Sequence, residues 1–405
     1  MRVLYISHNG MLEGLGQSQV LAYLRGLARR GAEIDLLSYE IAPAAGAIDA
    51  LQESLSGSRI RWTPLLRHRD TRFTVKLSES FLGVRRALAI ALRRRPDIVH
   101  GRSYLPTAVS DLVASVVPKA KLLFDCRGML GDEFVDAGHW TKDRLEYRLL
   151  KRYEARAFER AEGVVVLTNS LKRWIAERGL FGPRTSVEVI PCCVDLEAFR
   201  FEAGTRARIR AELGVSAKTV VVYSGSLGSW YRDSDIARFA GVVKKKASKP
   251  VVFMLLTASP SETLVALLLA EGFRRDEIIV RRVAPAEMPA YLSAGDIAVS
   301  FIKSCFSKTG SSPTKLAEYL ACGLPVVLNG DIGDQQELAE ERDACVVPRS
   351  FDADELGRAA ERVIVMSERP LEQRVGACRS VADSRFDLER IGVARYQRLY
   401  ESMLR

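Results

Sequence analysis

The chain has 405 residues, of which 47% are hydrophobic, and its formal net charge is +10. This length and apolar content allow a sizeable buried core and predict two domains. No apolar run reaches the roughly 18 residues of a membrane-spanning helix, and the opening MRVLYISHNG is typical of a first strand, not of a cleavable signal. Seven scattered cysteines without a CxxC pair favour neither a disulfide framework nor a structural zinc site. We therefore expect a cytoplasmic protein.

The first part of the chain predicts a parallel sheet. A strand VLYIS, a glycine-bearing loop over residues 9–16, a helix QSQVLAYLRGLARRG and a strand EIDLLSY form one βαβ unit. Further strands are predicted at DIVHG, KLLFDCR and GVVVLT, each followed by a helical pattern or a loop. This alternation is typical of a doubly wound domain, which we place at residues 1–195.

A second alternating series follows a polar linker at residues 196–218. Its predicted strands are TVVVYSG, VVFMLLT, EIIVRRV, IAVSFI and PVVLN, again separated by helical patterns. These strands predict a second Rossmann-like domain over residues 219–385. A last helix, LERIGVARYQRLYESML, occupies residues 386–405.

The segment SSPTKLAEYLACGLPVV predicts a short helix with an anion site at its start. Pro313 suits the first helical position with Ser312 as N-cap, while Gly323 and Pro325 end the helix. Its first free amides and the positive end of its dipole favour an anion near Thr314.

Glu318 lies one turn beyond that predicted anion site. At 100° per residue, Leu316 and Leu320 share the core face of the helix, whereas Lys315 and Glu318 share another face. A carboxylate there can accept hydrogen bonds from both hydroxyls of a ribose. The alternative is an ion pair between Lys315 and Glu318 on a solvated face, and the local sequence does not separate the two interpretations.

Three segments in this order, VEVIPCCVDLEAF, VAPAEMPAYLSAGDIAVSFI and SSPTKLAEYLACGLPVV, resemble retaining glycosyltransferases of family 4. The resemblance covers almost the whole chain. It implies the GT-B fold, an α/β architecture of two Rossmann-like, doubly wound domains facing a central cleft. It also implies that the last helix returns to the first domain.

The same resemblance implies a donor site for a nucleotide sugar. Glu318 would hold the donor ribose, the segment that begins at Val283 would lie beside the base, and the loop 310–314 would lie against the diphosphate. Gly14 and Gly16 would face the phosphates and the acceptor. The predicted donor-binding residues are Gly14, Gly16, Gly225, Ser226, Arg232, Val283, Lys308, Gly310, Ser311, Ser312, Thr314, Lys315 and Glu318.

This chain departs from the family pattern at two places. Gly310 stands where the first acid of the family's glutamate pair is expected. In GSLGSWYR, Ser226 and Tyr231 stand where the family's phosphate-binding segment has Arg and Lys. A diphosphate leaving group needs about two cationic contacts, so the charge must come from elsewhere. The candidate cations are Arg102, Arg127, Arg232, Lys308 and Lys315.

Polar residues at two strand ends of the first domain are the candidates for catalysis. They lie in HGRSY and DCRGMLGDE, and we predict catalytic roles for His100, Arg102, Asp125 and Arg127. The alternative is structural, with Asp125 capping a turn or pairing with Arg127.

Residues 59–95 carry eleven Lys or Arg side chains and two acids. This stretch is either a solvated surface or a contact with an anionic membrane. Nucleic acid is a third choice without a supporting motif. For the membrane contact, the predicted apolar side and anchors are Leu82, Ala87, Leu88, Leu92, Trp62, Phe73 and Phe81.

The leading hypothesis is a metal-independent, retaining transferase that uses a nucleotide diphosphate sugar, with UDP-sugar as the expected donor and no other cofactor. Its acceptor would be lipid-linked or a polysaccharide in cell-envelope glycan synthesis. One alternative is a nicotinamide-dependent oxidoreductase, which the glycine spacing GxxxGxG disfavours because it is not GxGxxG. Others are a non-catalytic basic binding protein for membranes or nucleic acid, and a sugar-nucleotide epimerase.

Overall fold

The computed structural model describes residues 1–41, 43–67, 73–228 and 230–405, and for residues 73–80 it describes the backbone alone. The predicted anchor Phe73 therefore lies, as a side chain, outside the described residues, as do residues 68–72 of the basic run. The chain divides into two compact units. The first unit is Met1–Pro191 together with Leu388–Arg405, and the second unit is Cys192–Asp387.

The first unit contains a parallel sheet with the strand order β3-β2-β1-β4-β5-β6-β7 in its described part. Its strands are β1 Arg2–Ser7, β2 Glu33–Ile41, β3 Ile60–Arg67, β4 Ile98–Arg102, β5 Lys121–Asp125, β6 Gly163–Val166 and β7 Ser186–Val189. The order reverses between β1 and β4, and ligands of doubly wound sheets bind beyond the carboxyl ends of such neighbouring strands.

Helices cover both faces of this sheet. They are α1 Gly14–Gly16, α2 Ala22–Arg29, α3 Ala47–Leu55, α4 Phe73–Arg94, α5 Tyr104–Val116, α6 Leu130–Asp136, α7 Leu145–Arg160 and α8 Asn169–Glu177. A π-helical turn, Gln17–Leu21, joins α1 to α2. The predicted loop 9–16 is therefore wrong at its end, since the helix begins at Gly14.

The second unit repeats the strand order as β10-β9-β8-β11-β12-β13 in a parallel sheet. Its strands are β8 Thr219–Ser224, β9 Val251–Leu256, β10 Ile278–Arg281, β11 Ile297–Ser300, β12 Val326–Leu328 and β13 Cys345–Val346. Strand β9 is buried over its whole length, as expected for the continuous apolar run VVFMLL with helices on both faces.

The helices of this second unit are α9 Ala203–Glu212, α10 Asp233–Lys246, α11 Glu262–Ala270, α12 Met288–Ser293, α13 Thr314–Ala321, α14 Ala353–Glu368 and α15 Leu371–Arg385. The chain enters and leaves the unit at adjacent points, because Val194 N donates to Phe386 O at 2.9 Å. Both units are thus α/β with doubly wound parallel sheets.

The last segment belongs to the first unit. A π-helical stretch, Leu388–Val393, packs on α2, and α16 Ala394–Leu404 packs on β7. Gly392 lets this stretch approach Tyr23, since a Cβ at position 392 would lie 2.6 Å from the tyrosine ring. Among the helices that the structure describes, none combines the length and hydropathy needed to cross a bilayer.

Candidate functional site

The carboxyl end of β8 in the second unit is the point where the strand order reverses, and α13 is fixed there by one tyrosine. The fully buried hydroxyl of Tyr319 accepts hydrogen bonds from Ser224 N at 2.7 Å and from Ser224 Oγ at 3.0 Å. Strand β8 is followed by Gly225, whose φ of +107° lies in the left-handed region that favours glycine. Tyr319 was not among the predicted site residues, although a tyrosine on the core face of a helix usually needs a hydroxyl partner.

Helix α13 begins without a side-chain cap. Its first residue is Thr314, and Pro313 precedes it in an extended conformation. The prediction of Ser312 as N-cap is wrong, because the Ser312 hydroxyl instead accepts a hydrogen bond from Cys192 N at 3.0 Å. The first amides of α13 consequently remain available to an anion.

Lys315 is a buried cation at this helix start. Its side chain is 7% exposed, and its Nζ has no hydrogen-bond partner among the described residues. The ammonium lies 4.1 Å from the ring centre of Tyr223 and 4.2 Å from that of Tyr231. A Cβ on Gly225 would lie 3.2 Å from Nζ. The cation therefore lies against the glycine that follows β8.

This position puts a cation beside Tyr231, one of the departures from the family pattern. That tyrosine stands where a family lysine is expected, and its ring contacts the ammonium of Lys315 instead. The cation–π contacts partly stabilise the charge of the Lys315 ammonium, but the tyrosine rings do not accept its N–H hydrogen bonds. Three donor protons on Nζ thus remain for another ligand.

Glu318 is half-buried on the next turn of α13. No hydrogen bond or ion pair joins its carboxylate to Lys315, so the structure does not show the solvated ion pair that was the alternative interpretation. Burial raises the pKa of Glu318 to about 7, although the charge of Lys315 opposes this shift. Burial likewise lowers the pKa of Lys315 to about 7, against the charges of Glu318 and Asp233.

The other predicted donor-site residues have varied surroundings. Arg232 is engaged in an ion pair with Asp235 at 2.7 Å and stacks on Phe351, so its guanidinium already has an anionic partner. Lys308 is buried with its ammonium 3.8 Å from the Trp230 ring centre.

The remaining predicted donor-site residues lie in loops and close to strand β10. The carbonyl of Ser226 accepts from Tyr223 Oη at 2.6 Å. Gly310 is buried at the end of a 3-10 turn, Ser311 is half-buried, and Val283 packs against the core near β10.

In the first unit three of the predicted catalytic residues, His100, Arg102 and Arg127, converge on the buried carboxylate of the fourth, Asp125. Asp125 accepts from Tyr396 Oη at 3.0 Å, and Arg127 Nη1 lies 3.4 Å from it. His100 Nε2 lies 3.5 Å and Arg102 Nη1 3.8 Å from the same carboxylate. The pairing of Asp125 with Arg127, considered as the structural alternative, is present.

The charges and burial around this cluster keep Asp125 ionised and His100 neutral. Burial would raise the pKa of Asp125, but Arg127, the hydrogen bond from His100 and the charge of Arg102 outweigh it and lower the pKa. Burial lowers the pKa of His100 despite the neighbouring Asp125, so the imidazole is neutral at pH 7. Its Nδ1 contacts Tyr400 Oη at 2.8 Å. Catalytic roles for the four residues stay a prediction.

Glu40, which was not among the predicted site residues, organises the glycine segment after β1. This buried carboxylate accepts from Met11 N at 2.8 Å and from Leu12 N at 3.2 Å. A Cβ on Gly16 would lie 1.9 Å from Gly10 O, so Gly16 serves close packing inside the first unit. An acid at the end of β2 was the available indication, since loop amides near a strand end need acceptors.

The basic run includes strand β3 and the described part of α4. Trp62 is buried and donates to Ser38 Oγ at 2.8 Å, and Ala87 is fully buried. These two residues cannot contact a membrane, which corrects the prediction of Trp62 as an anchor and of Ala87 on the apolar side. Leu88 is half-buried and packs against the core. The large apolar side chains exposed in the described part of this run are Leu66 of β3, at 58% exposure, and Phe81, Leu82 and Leu92 of α4, at 69%, 37% and 59%.

Comparisons with known proteins agree over both halves of the chain. Residues 16–193 match the model of a glycosyl transferase 4-like domain, and residues 218–365 match that of glycosyl transferases group 1. A GDP-mannose-dependent α-(1-6)-phosphatidylinositol monomannoside mannosyltransferase of Mycolicibacterium smegmatis is 23% identical over 172 residues. That alignment covers 41% of this chain and less than half, 44%, of the relative.

Solved structures share the fold over nearly the full length. Sucrose-phosphate synthase from Thermosynechococcus elongatus has a TM-score of 0.72 at 16% identity, covering 99% of this chain and 98% of the synthase. Anabaena Alr3699/HepE, crystallised with UDP, has a TM-score of 0.70 at 17% identity, and the match covers 100% of this chain and 99% of the Anabaena chain. The same Anabaena protein was also crystallised with UDP-glucose. The fold is therefore GT-B, and the matches together support a glycosyltransferase.

Proposed function

We propose, on the premise that glycosyltransferase domains cover both halves of this chain, that it transfers a sugar from a nucleotide diphosphate sugar with retention at the anomeric carbon. The observation that carries the proposal is the buried Nζ of Lys315 at the uncapped start of α13, for which the described residues provide no hydrogen-bond partner. A buried ammonium without an anion is costly, so the site favours a ligand that supplies one.

The donor diphosphate fits this start of α13. The free amides of Thr314 and Lys315, together with the ammonium of Lys315, supply hydrogen bonds and positive charge. Glu318, one turn further, accepts hydrogen bonds from the ribose hydroxyls, and the segment at Val283 receives the base. UDP-sugar is the preferred donor because an Anabaena protein of the same fold was crystallised with UDP-glucose.

The reaction is a front-face displacement. The acceptor hydroxyl oxygen forms a bond to the anomeric carbon on the face from which the diphosphate departs, while the bond from that carbon to the diphosphate oxygen breaks. The departing phosphate oxygen takes the proton of the acceptor hydroxyl, so no separate base is needed. Helix-end amides and Lys315 stabilise the charge that develops on the diphosphate, and this role makes a metal unnecessary.

The acceptor is lipid-linked or a polysaccharide of the cell envelope, and the protein binds to the membrane surface as a peripheral protein. The mannosyltransferase relative is named for a phosphatidylinositol acceptor, which supports a lipid-linked substrate. The membrane contact is assigned to the exposed face of α4. At 100° per residue, Phe81, Arg85 and Leu92 lie within about 40° of one another.

The charge on this α4 face suits an anionic lipid surface. Arg86 and Arg93 flank the apolar side chains, and residues 81–95 contain no Asp or Glu. Exposed apolar groups beside arginines are typical of interfacial helices, in which each basic residue near the surface adds about 1 kcal/mol of attraction.

The test of the transferase proposal is a donor screen with UDP-glucose and GDP-mannose, followed by hydrolysis and transfer assays. Glu318→Ala removes hydrogen bonds to the ribose and is expected to lower kcat/KM about tenfold to a hundredfold. Glu372→Ala, on the exposed surface of α15, is the matched control. Undiminished turnover of Glu318→Ala would contradict the assigned role, and an inverted anomeric product by NMR would contradict retention.

A further inference from the structure

A cationic pocket lies at the amino-terminal ends of the strands in the second unit's sheet, whereas the proposed donor site lies at their carboxyl ends. Thr219, the first residue of β8, and Asp296, which precedes β11, line a pocket of about 320 Å³. The donor site follows Ser224 at the other end of β8. A six-residue strand spans roughly 20 Å, so the two sites are separate.

Three arginines surround the single buried carboxylate in this pocket. Arg206, Arg210 and Arg374 all pair with Asp296, the last two at 2.9 Å and 3.2 Å. The three positive charges lower the pKa of Asp296 against the effect of burial, so it is ionised. One negative charge consequently faces three positive charges away from bulk water.

Backbone carbonyls satisfy many of the guanidinium protons without balancing their charge. Arg206 donates to Ser293 O at 2.9 Å, and Arg210 donates to Ala294 O at 2.8 Å. Arg374 is different, because its side chain is 3% exposed and its Nε has no hydrogen-bond partner in the described part of the chain. A buried guanidinium N–H without an acceptor is costly unless a ligand supplies one.

Further cations line the rim of the same pocket. Lys218 and Lys249 form no ion pair with any residue that the structure describes, whereas Arg369 pairs with Asp343 at 2.8 Å. The second carboxylate in the lining, Glu368, accepts from Ser248 Oγ at 2.8 Å. Six cationic side chains therefore line the pocket against two carboxylates.

We propose that this pocket, which we call the arginine pocket, binds a phosphate-bearing polyanion of pyrophosphate size at the amino-terminal edge of the sheet. The inference does not depend on the transferase function. Buried arginines with planar N–H groups suit phosphate oxygens, and the rim lysines add point charges that attract an anion of more than one charge.

Inorganic pyrophosphate is the probe, and calorimetric titration at constant ionic strength is the measurement. The proposed donor site would also bind pyrophosphate, so the titrations use full-length protein carrying Lys315→Met. In that background, Lys218→Gln with Lys249→Gln is expected to weaken pyrophosphate binding about tenfold or more, since each charge-assisted contact contributes about one factor of ten.

The control in the same background is Lys245→Gln with Arg342→Gln, which removes two exposed cations of the second unit outside the pocket lining. This control is expected to bind pyrophosphate as its parent does. Equal weakening by the two double variants would overturn the proposal, because the effect would then be net charge alone. Absence of pyrophosphate binding by the Lys315→Met protein would also overturn it. Binding lost only in Lys218→Gln with Lys249→Gln supports it.

Discussion

Lys315 and Glu318 lie one turn apart on α13, yet no hydrogen bond or ion pair joins their side chains. The ammonium is directed to the rings of Tyr223 and Tyr231. The pKa of the lysine is lowered to about 7 and that of the glutamate raised to about 7, in each case chiefly by burial. Both side chains therefore change charge close to neutral pH.

Donor affinity is expected to be highest near pH 7 and to fall on both sides. Above pH 7 Lys315 loses the proton that attracts a diphosphate, and below pH 7 Glu318 gains a proton and accepts ribose hydroxyls less well. On each side of pH 7 the dissociation constant of the donor approaches about a tenfold change per pH unit. Calorimetry with UDP-glucose and GDP-mannose between pH 5.5 and 8.5, as rough limits, measures this profile.

Two variants separate the limbs of that profile. Lys315→Met removes the alkaline limb, and Glu318→Gln removes the acidic limb, because each deletes one titrating group. An affinity that is independent of pH in the unmodified protein would contradict the prediction.

The stability of the protein is expected to depend on Glu318 between pH 4.5 and 7. The pKa of Glu318 in the folded state, about 7, exceeds its ordinary value of 4.5, so the folded state retains a proton that the unfolded chain releases. The free energy of unfolding therefore falls as pH rises through this window. Between pH 4.5 and 7, the free energy of unfolding of the unmodified protein is expected to fall by on the order of 2 kcal/mol relative to that of Glu318→Gln.

Urea unfolding of both proteins at several pH values checks this difference. Glu372→Gln on the surface of α15 is the control and is expected to track the unmodified protein. A difference between the unmodified protein and Glu318→Gln that does not change with pH would argue against the raised pKa.

Tyr319→Phe is expected to destabilise the second unit by about 1–3 kcal/mol. The change removes the acceptor of Ser224 N and leaves a buried amide unpaired. Tyr153→Phe is an informative contrast, since the buried hydroxyl of Tyr153 has no hydrogen-bond partner among the described residues. Its removal should be neutral or stabilising. Thermal or urea unfolding measures both, and equal costs for the two variants would refute the role of Tyr319.

Membrane binding is expected to depend on α4. Replacing Arg85, Arg86 and Arg93 by Gln removes three cations and should weaken binding to vesicles of phosphatidylglycerol and phosphatidylcholine by about 3 kcal/mol, or roughly a hundredfold. Co-sedimentation at low and high salt is the measurement.

The control for that experiment replaces three exposed arginines of α7, Arg148, Arg152 and Arg156, which share one helix face. It has the same net charge as the α4 variant. Equal loss of vesicle binding in both triple variants would show that α4 has no special part.

Strands with continuous apolar runs were predictable from the sequence even where they are short, as at the three-residue β12, whereas β3 and β13 were not. Strand β9, VVFMLL, is buried throughout and follows its prediction. Strand β3 was missed because Arg61, Pro64 and Arg67 interrupt its apolar residues, and an edge position tolerates such residues. Strand β13 has two residues, too few for a pattern.

The candidate site was predictable where one segment supplies it. The start of α13 was predicted from local residue order, with an error of one residue at its cap. The partners of that helix were not predictable, because they are distant in sequence. Ser224, which donates to Tyr319, lies 95 positions away, and Tyr223, which contacts Lys315, belongs to the same strand β8. The convergence on Asp125 also needed the fold, since Tyr396 lies far away in sequence.

The passage of the chain through the first unit has a consequence for folding during synthesis. The second unit is one continuous stretch, but the first unit needs Leu388–Arg405, which the ribosome makes after that stretch. Until then Asp125 and His100 lack the hydroxyls of Tyr396 and Tyr400. The half translated first therefore completes these contacts only after the half translated second has been synthesised, and in that interval its unfinished surface is open to chaperones.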